Sequence, residues 1–203
     1  MIRNLLLSVC LVASLSACST TQKTEGSGLL SVVTQNVLTI AGDAAISQAD
    51  FSPIKGKGIQ IEMSGFVEEK NRGFLSNLVS SKAENAGSLL VRMRKPDLIL
   101  EVVVNRAGND AGKSNVPILK ASRRTEATVD LTLTVRDPMT GQRISSQRVA
   151  AFSKYEQAKW VGIVDGKGQY YVRSASSQQQ VGGVGSRVSE ELNNKSWTKV
   201  NAP

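Results

Sequence analysis

Ala127-Thr128-Val129-Asp130-Leu131-Thr132-Leu133-Thr134-Val135 is the stretch on which the fold turns. Its apolar residues recur at every second position, with Thr128, Asp130, Thr132 and Thr134 between them, the pattern of a strand that buries one face. Asp137-Pro138-Met139-Thr140-Gly141 follows at once. Proline sets the first turn dihedral and glycine accepts positive φ where the return strand begins, so residues 143–154 are expected to pair back as a hairpin.

Upstream, residues 97–105 (Asp-Leu-Ile-Leu-Glu-Val-Val-Val-Asn) are apolar on both faces and read as the central strand of a covered sheet. Residues 108–115, rich in Gly, Asn, Asp and Lys, read as a loop, and 116–124 as an irregular strand limited by Pro117. Ile59, Ile61, Met63 and Val67 alternate with Gln60, Glu62 and Ser64 as a further strand. Helical spacing joins Leu30, Val33, Val37, Ile40, Ala41, Ala44 and Ala45 through about residue 48, with a break at Phe51-Ser52-Pro53. It returns at Phe74, Leu75, Leu78, Lys82, Ala86 and Leu89, with Lys82 at the stripe's edge and Gly87 weakening the final turn. A last helical run, Val181, Val184, Val188 and Leu192, is interrupted by Gly182, Gly183 and Gly185. The order predicts an α+β fold: a mostly antiparallel sheet packed by two to three helices, after an N-terminal signal segment and tether.

Tyr155, Trp160, Tyr170 and Tyr171 gather around Gly162 and Gly166-Lys167-Gly168. As a contact loop they are candidate anchors for a protein partner. The stronger reading is a last hairpin whose rings close the edge of the core. Glu101 and Asp130 are the carboxylates that could face one cleft as acid and base. The plainer reading pairs Glu101 with a basic neighbour and leaves Asp130 on the solvated face. Ser196-Trp197-Thr198-Lys199 matches Ser-x-x-Lys, yet it lies in a polar C-terminal tail without the partner motifs such nucleophiles use. The chain has no histidine, which removes the commonest metal ligand and the usual general base. No catalytic residue, metal site or cofactor is expected.

The N-terminus carries Arg3, an apolar core from Leu5 to Leu15, and then Leu15-Ser16-Ala17-Cys18, which resembles a bacterial lipobox. The apolar run is shorter than the roughly 20 residues of a spanning helix. The expected division is a signal peptide over 1–17, lipidated Cys18 with a flexible tether over 18–28, a single periplasmic domain over 29–195 and an exposed tail over 196–203. The resemblance implies a diacylglycerol on the Cys18 thiol and an acylated amine. Ser19 in place of an aspartate implies transfer to the outer membrane of a Gram-negative bacterium. Cys10 leaves with the signal segment and Cys18 is consumed by lipid, so no disulfide is expected. The net charge of +8 falls to +7 once Arg3 is removed. Its basic residues are dispersed without aromatic interleaving, which argues against a nucleic-acid partner.

Residues 59–67, 73–90, 97–105 and the hairpin around Val135-Arg136-Asp137-Pro138-Met139-Thr140-Gly141 are similar in order to the periplasmic domains of curli-secretion-channel lipoproteins and penicillin-binding-protein-activator lipoproteins. Anchor, tether and missing catalytic chemistry together predict a non-enzymatic outer-membrane lipoprotein. It would hold another envelope protein, or a second copy of itself, as an assembly or stabilising factor of a secretion, pilus, flagellar or cell-wall machine. The alternative is a subunit of an oligomeric lipoprotein export channel, because residues 127–135 match the about 9–11 residues of a tilted membrane strand. Against it, the chain lacks aromatic girdles and repeated hairpins.

Overall fold

The computed structural model describes residues 27–65, 67–91, 95–116, 120–160, 168–178 and 188–203. In chain order they form α1 (Ser27–Ile46), a 3₁₀ turn (Ser52–Ile54), β1 (Gly58–Gly65), α2 (Glu69–Asn85), β2 (Leu89–Leu90), β3 (Leu98–Val116) and β4 (Lys120–Arg136). β5 (Arg143–Trp160), β6 (Gln169–Gln178), α3 (Val188–Asn194) and β7 (Thr198–Val200) complete the chain. The signal segment, Cys18 and most of the tether lie outside the described residues, as do Gly162, Gly166, Lys167, Val181 and Val184. Contacts divide the chain between Ser31 and Val32. Among the described residues the first unit contributes the opening turn of α1, and the other elements belong to the second.

All seven strands join one sheet in the order β2-β1-β3-β4-β5-β6-β7. β1 runs parallel to β2 and β3, with α2 as the crossover that parallel pairing requires, and the remaining neighbours are antiparallel. The α+β class read from the sequence is the observed one.

Alternation in β4 decides what lies inside. Ala127, Val129, Leu131, Leu133 and Val135 are buried in the core with Leu100, Val102 and Val104 of β3 and Val149 and Ala151 of β5. α1 closes this face with Val37, Ala41 and Ala45, and α2 with Leu75, Val79 and Ala83. Burying one such aliphatic side chain contributes about 1.5–3 kcal/mol, so the face supplies most of the fold's drive. Polar ties fix where α1 sits. Ser153 donates its hydroxyl to the Val37 carbonyl. Gln147 and Asp50 exchange two bonds, each 2.8 Å, between side-chain amide and backbone. Between the helices, Lys82 reaches Asp43 at 3.1 Å and Ser47 at 3.2 Å, consistent with its place at the stripe's edge.

The turn after β4 forms as its residues predict. The Asp137 carboxylate accepts the N–H groups of Met139 (2.6 Å) and Thr140 (3.2 Å), and Gly141 takes φ 68°. Those two bonds lower the pKa of Asp137, because they favour its charged form.

Four expectations are corrected. Residues 108–115 are not a loop: they are strand, paired residue for residue with β4 out to Val116↔Lys120. Cross-strand pairing overrides a composition that on its own signals turns. The irregular strand expected over 116–124 is instead the end of β3 and the start of β4 around a connection, residues 117–119, that lies outside the described residues. The second helix stops at Asn85, and Gly87, at φ 93°, terminates it rather than weakening it. Ser88 N–H bonds the Ala83 carbonyl (3.1 Å) and Gly87 N–H the Glu84 carbonyl (2.8 Å), a Schellman ending that frees Leu89 and Leu90 to form β2. Finally, the tail is exposed at Thr198 and Lys199 as expected, yet residues 198–200 add to the sheet as its last strand.

A bulge sits in β3 where the register shifts between Val104 and Arg106. Gly65, paired with Val104, has φ 105°, and a Cβ there would overlap the Val104 backbone. Only glycine permits this approach of β1 to the bulge. The bulge turns Asn105 towards β4, where its amide donates to Asp130 (3.0 Å) and Thr132 (2.9 Å).

Candidate functional site: the polar face of the sheet

Side chains alternate along β5, so Ser153 and Tyr155 face α1 while Phe152 and Lys154 face the other way. This separates the four expected contact residues. Tyr155 and Tyr170 lie directly opposite one another, their ring centroids 4.9 Å apart at an interplanar angle of 50°, and each is only 9% exposed. Tyr170 oxygen accepts a bond from Asn36 of α1 at 3.2 Å. Gly168 packs so close to the Tyr155 ring that a Cβ would collide with it. As partner contacts Tyr155 and Tyr170 are therefore corrected: they close the edge of the core, the reading preferred from the sequence. Trp160 ends β5 opposite Lys120, and its side chain lies outside the described residues.

Tyr171 points to the opposite face and is half-buried. The Lys154 ammonium sits 5.1 Å from its ring centroid and 4.4 Å from that of Trp197. The Arg173 guanidinium lies 4.5 Å from the Trp197 centroid and 5.2 Å from that of Phe152. All four distances fall within the range of about 6 Å over which a ring face attracts a cation. Lys154 also pairs with Glu156 at 2.9 Å, whereas among the described residues Arg173 bonds the Asn193 carbonyl (3.3 Å) and amide oxygen (3.4 Å). Trp197, Lys154, Arg173 and Phe152 were not singled out from the sequence. The available signal was a single indole in an otherwise polar tail.

Further along the same face, Arg148 grips Asp130 with two bonds, Nε–Oδ1 at 2.9 Å and Nη2–Oδ2 at 2.6 Å. Asp130 is buried rather than on a solvated face, a correction that follows from this pairing and from Asn105. The same bonds raise the Arg148 pKa despite partial burial. Glu101 meets Arg136 at 2.6 Å, as the plainer reading had it, and Thr134 bonds Ser146 at 3.1 Å. Glu101 lies opposite Thr134, four residues along β4 from Asp130, hence about 13 Å away at strand rise. Two carboxylates that cooperate on one bond sit about 5–9.5 Å apart, so these two do not form such a pair. Ser196 and Lys199 are exposed at the C-terminal edge, Lys199 opposite Tyr171.

Elsewhere, a cleft of ≈ 330 Å³ between β1, β2 and α2 is lined by aliphatics, Gln60 and the two α2 serines Ser76 and Ser80. Among the described residues no three His, Cys, Asp or Glu side chains converge on a possible metal position, and no helix is long and apolar enough to cross a membrane. Among the described residues α3 is the helix that packs on the polar face, where Leu192 meets Ala150, Ala175 and Phe152 at β5 and β6. What the face offers chemically is two cations stacked on aromatic rings beside a sheet edge. No family model matches the chain, and no curated protein matches it in sequence.

Proposed function

We propose that this chain is an outer-membrane lipoprotein, anchored by acyl chains on Cys18, whose α+β domain binds another envelope protein as a non-enzymatic assembly or stabilising factor. The observation that carries the reading is the inequality of the two sheet faces. One is sealed by α1 and α2, while the other, among the described residues, is covered only by the seven-residue α3 and presents Tyr171, Trp197, Lys154 and Arg173 half-buried at its border. Aromatic residues with cations beside them are the composition of interface anchors. The lipobox resemblance supports the anchor, and two or three acyl chains hold where a single one binds reversibly.

The channel alternative gains little from the strand ends. β4 and β5 continue beyond the last β5–β6 pair, Gln169↔Glu156, by only four pairs, out to Lys120↔Trp160, short of the about 9–11 residues of a tilted membrane strand. The stretch 127–135 that suggested a membrane strand has its apolar side chains buried in the domain instead.

The test is chemical crosslinking in cells of the tagged full-length chain, followed by membrane fractionation and purification. A defined envelope protein recovered with wild type, and lost when Cys18→Ser moves the chain out of the membrane fraction, is the expected result. Recovery of no partner overturns the proposal.

A further inference from the structure

β6 has ten residues, yet β7 pairs with only Tyr170, Tyr171 and Val172 along its outer side. Among the described residues no strand pairs with the rest of that edge. An open edge is a template for an incoming strand, since its N–H and C=O groups remain to be paired. The segment now seated there is short: three residue pairs hold it to β6, Val200 packs against the core and Trp197 stacks against Lys154 and Arg173, while Thr198 and Lys199 are exposed.

It also fits imperfectly. Cross-strand pairing sets Lys154, Tyr171 and Lys199 in one row on one face, with Tyr171 between the two lysines and their backbones about 10 Å apart at strand spacing, so Lys199 adds a second positive charge to three positions of which none is acidic. Arg173 Nε is buried without a partner among the described residues, and its other nitrogens face an amide rather than a carboxylate. An occupant with an acid at the Lys199 position would complement both cations.

We propose that the outer edge of β6 is a strand-addition site for an extended segment of a partner protein, and that residues 196–200 cap it with Trp197 as latch. The segment it fits is antiparallel to β6. It carries an aromatic residue in the place of Trp197 and an acidic residue two positions later, in the place of Lys199. This rests on the reading of the domain as a partner-binding module and names what the module takes.

The experiment uses the full chain and a labelled peptide with the sequence of residues 195–203, in its own form and with Lys199→Glu, read by fluorescence anisotropy. Trp197→Ala removes the latch from the chain, and Thr198→Pro, which removes a backbone donor, loosens β7 by a second route. Either loosened chain is expected to bind the peptide about tenfold tighter than wild type does, Trp197→Ala from the loss of two cation–ring contacts in the competing segment and Thr198→Pro from its weakened strand pairing. The Lys199→Glu peptide is expected to bind about threefold tighter again, with the difference fading at high salt. No binding to either loosened chain, equal binding to wild type, or no gain from the glutamate overturns the proposal. If the peptide fails while cellular crosslinking still recovers a partner, the edge is wrong and the partner-binding reading stands.

Discussion

Asp130 and Arg148 join diagonally across the β4–β5 pair, Asp130 opposite Ala150 and Arg148 opposite Thr132, in a bidentate ion pair whose side chains are 12% and 25% exposed. Pairs of this geometry are the strong ones, and breaking one in a desolvated setting leaves the survivor's charge uncompensated. Asp130→Ala is therefore expected to destabilise the fold by about 2–3 kcal/mol in chemical denaturation. Asp130→Leu combined with Arg148→Met should recover to within about 1 kcal/mol of wild type, because neither charge then remains buried. A double variant as unstable as the sum of its singles would deny the coupling.

The positive-φ glycines at the end of β1 and in the turn after β4, Gly65 and Gly141, are predicted to differ. Gly141→Ala meets nothing within 4 Å and incurs only the dihedral penalty of about 1–2 kcal/mol. Gly65→Ala adds a clash with the Val104 backbone, and its midpoint in urea should fall well below that of Gly141→Ala. Equal midpoints would mean that β1 does not approach the bulge this closely.

The expected contact residues separate by the same kind of measurement. Tyr155→Ala empties a core position and should cost about 3–5 kcal/mol. Tyr171→Ala, on the half-covered face, should cost much less stability and instead lower crosslinking to the partner. The reverse ranking would place Tyr171 in the core.

Asp50 and Asp137 both have pKa values below the ordinary carboxylate value, chiefly through backbone N–H bonds from Ser52 and from Met139 and Thr140 respectively. A carboxylate depressed in the folded state contributes stability above its unfolded value, and that contribution is lost as pH falls through the folded value. The thermal midpoint is thus expected to fall below about pH 4, and less steeply in a chain carrying Asp50→Asn and Asp137→Asn. A double variant as steep as wild type would remove these turns from the acid response.

Much of the fold was legible because its strongest signals are local. Residues 127–141 carry alternation and turn chemistry in consecutive positions, and β4 with its turn formed accordingly. Residues 108–115 were misread because their strand state comes from a partner strand and not from their own propensities. The same holds for β7, three residues whose conformation depends on Tyr170, Tyr171 and Val172. The candidate face was harder still. Lys154, Arg173 and Trp197 are brought together by two strand pairings far apart in sequence, and no spacing rule connects them. The tyrosines were visible as a cluster, but only the register decides that Tyr155 and Tyr170 turn inwards and Tyr171 outwards.

The central claim is that the half-covered sheet face, held at the outer membrane, docks a protein. Its most direct test is site-specific photocrosslinking in cells, with a photoreactive phenylalanine analogue at Tyr171 on that face and, for comparison, at Met139 in the exposed turn after β4. The account predicts one discrete envelope-protein adduct from position 171, absent from 139 and lost with Cys18→Ser. No adduct from position 171, or the same adduct at equal yield from 139, would contradict it.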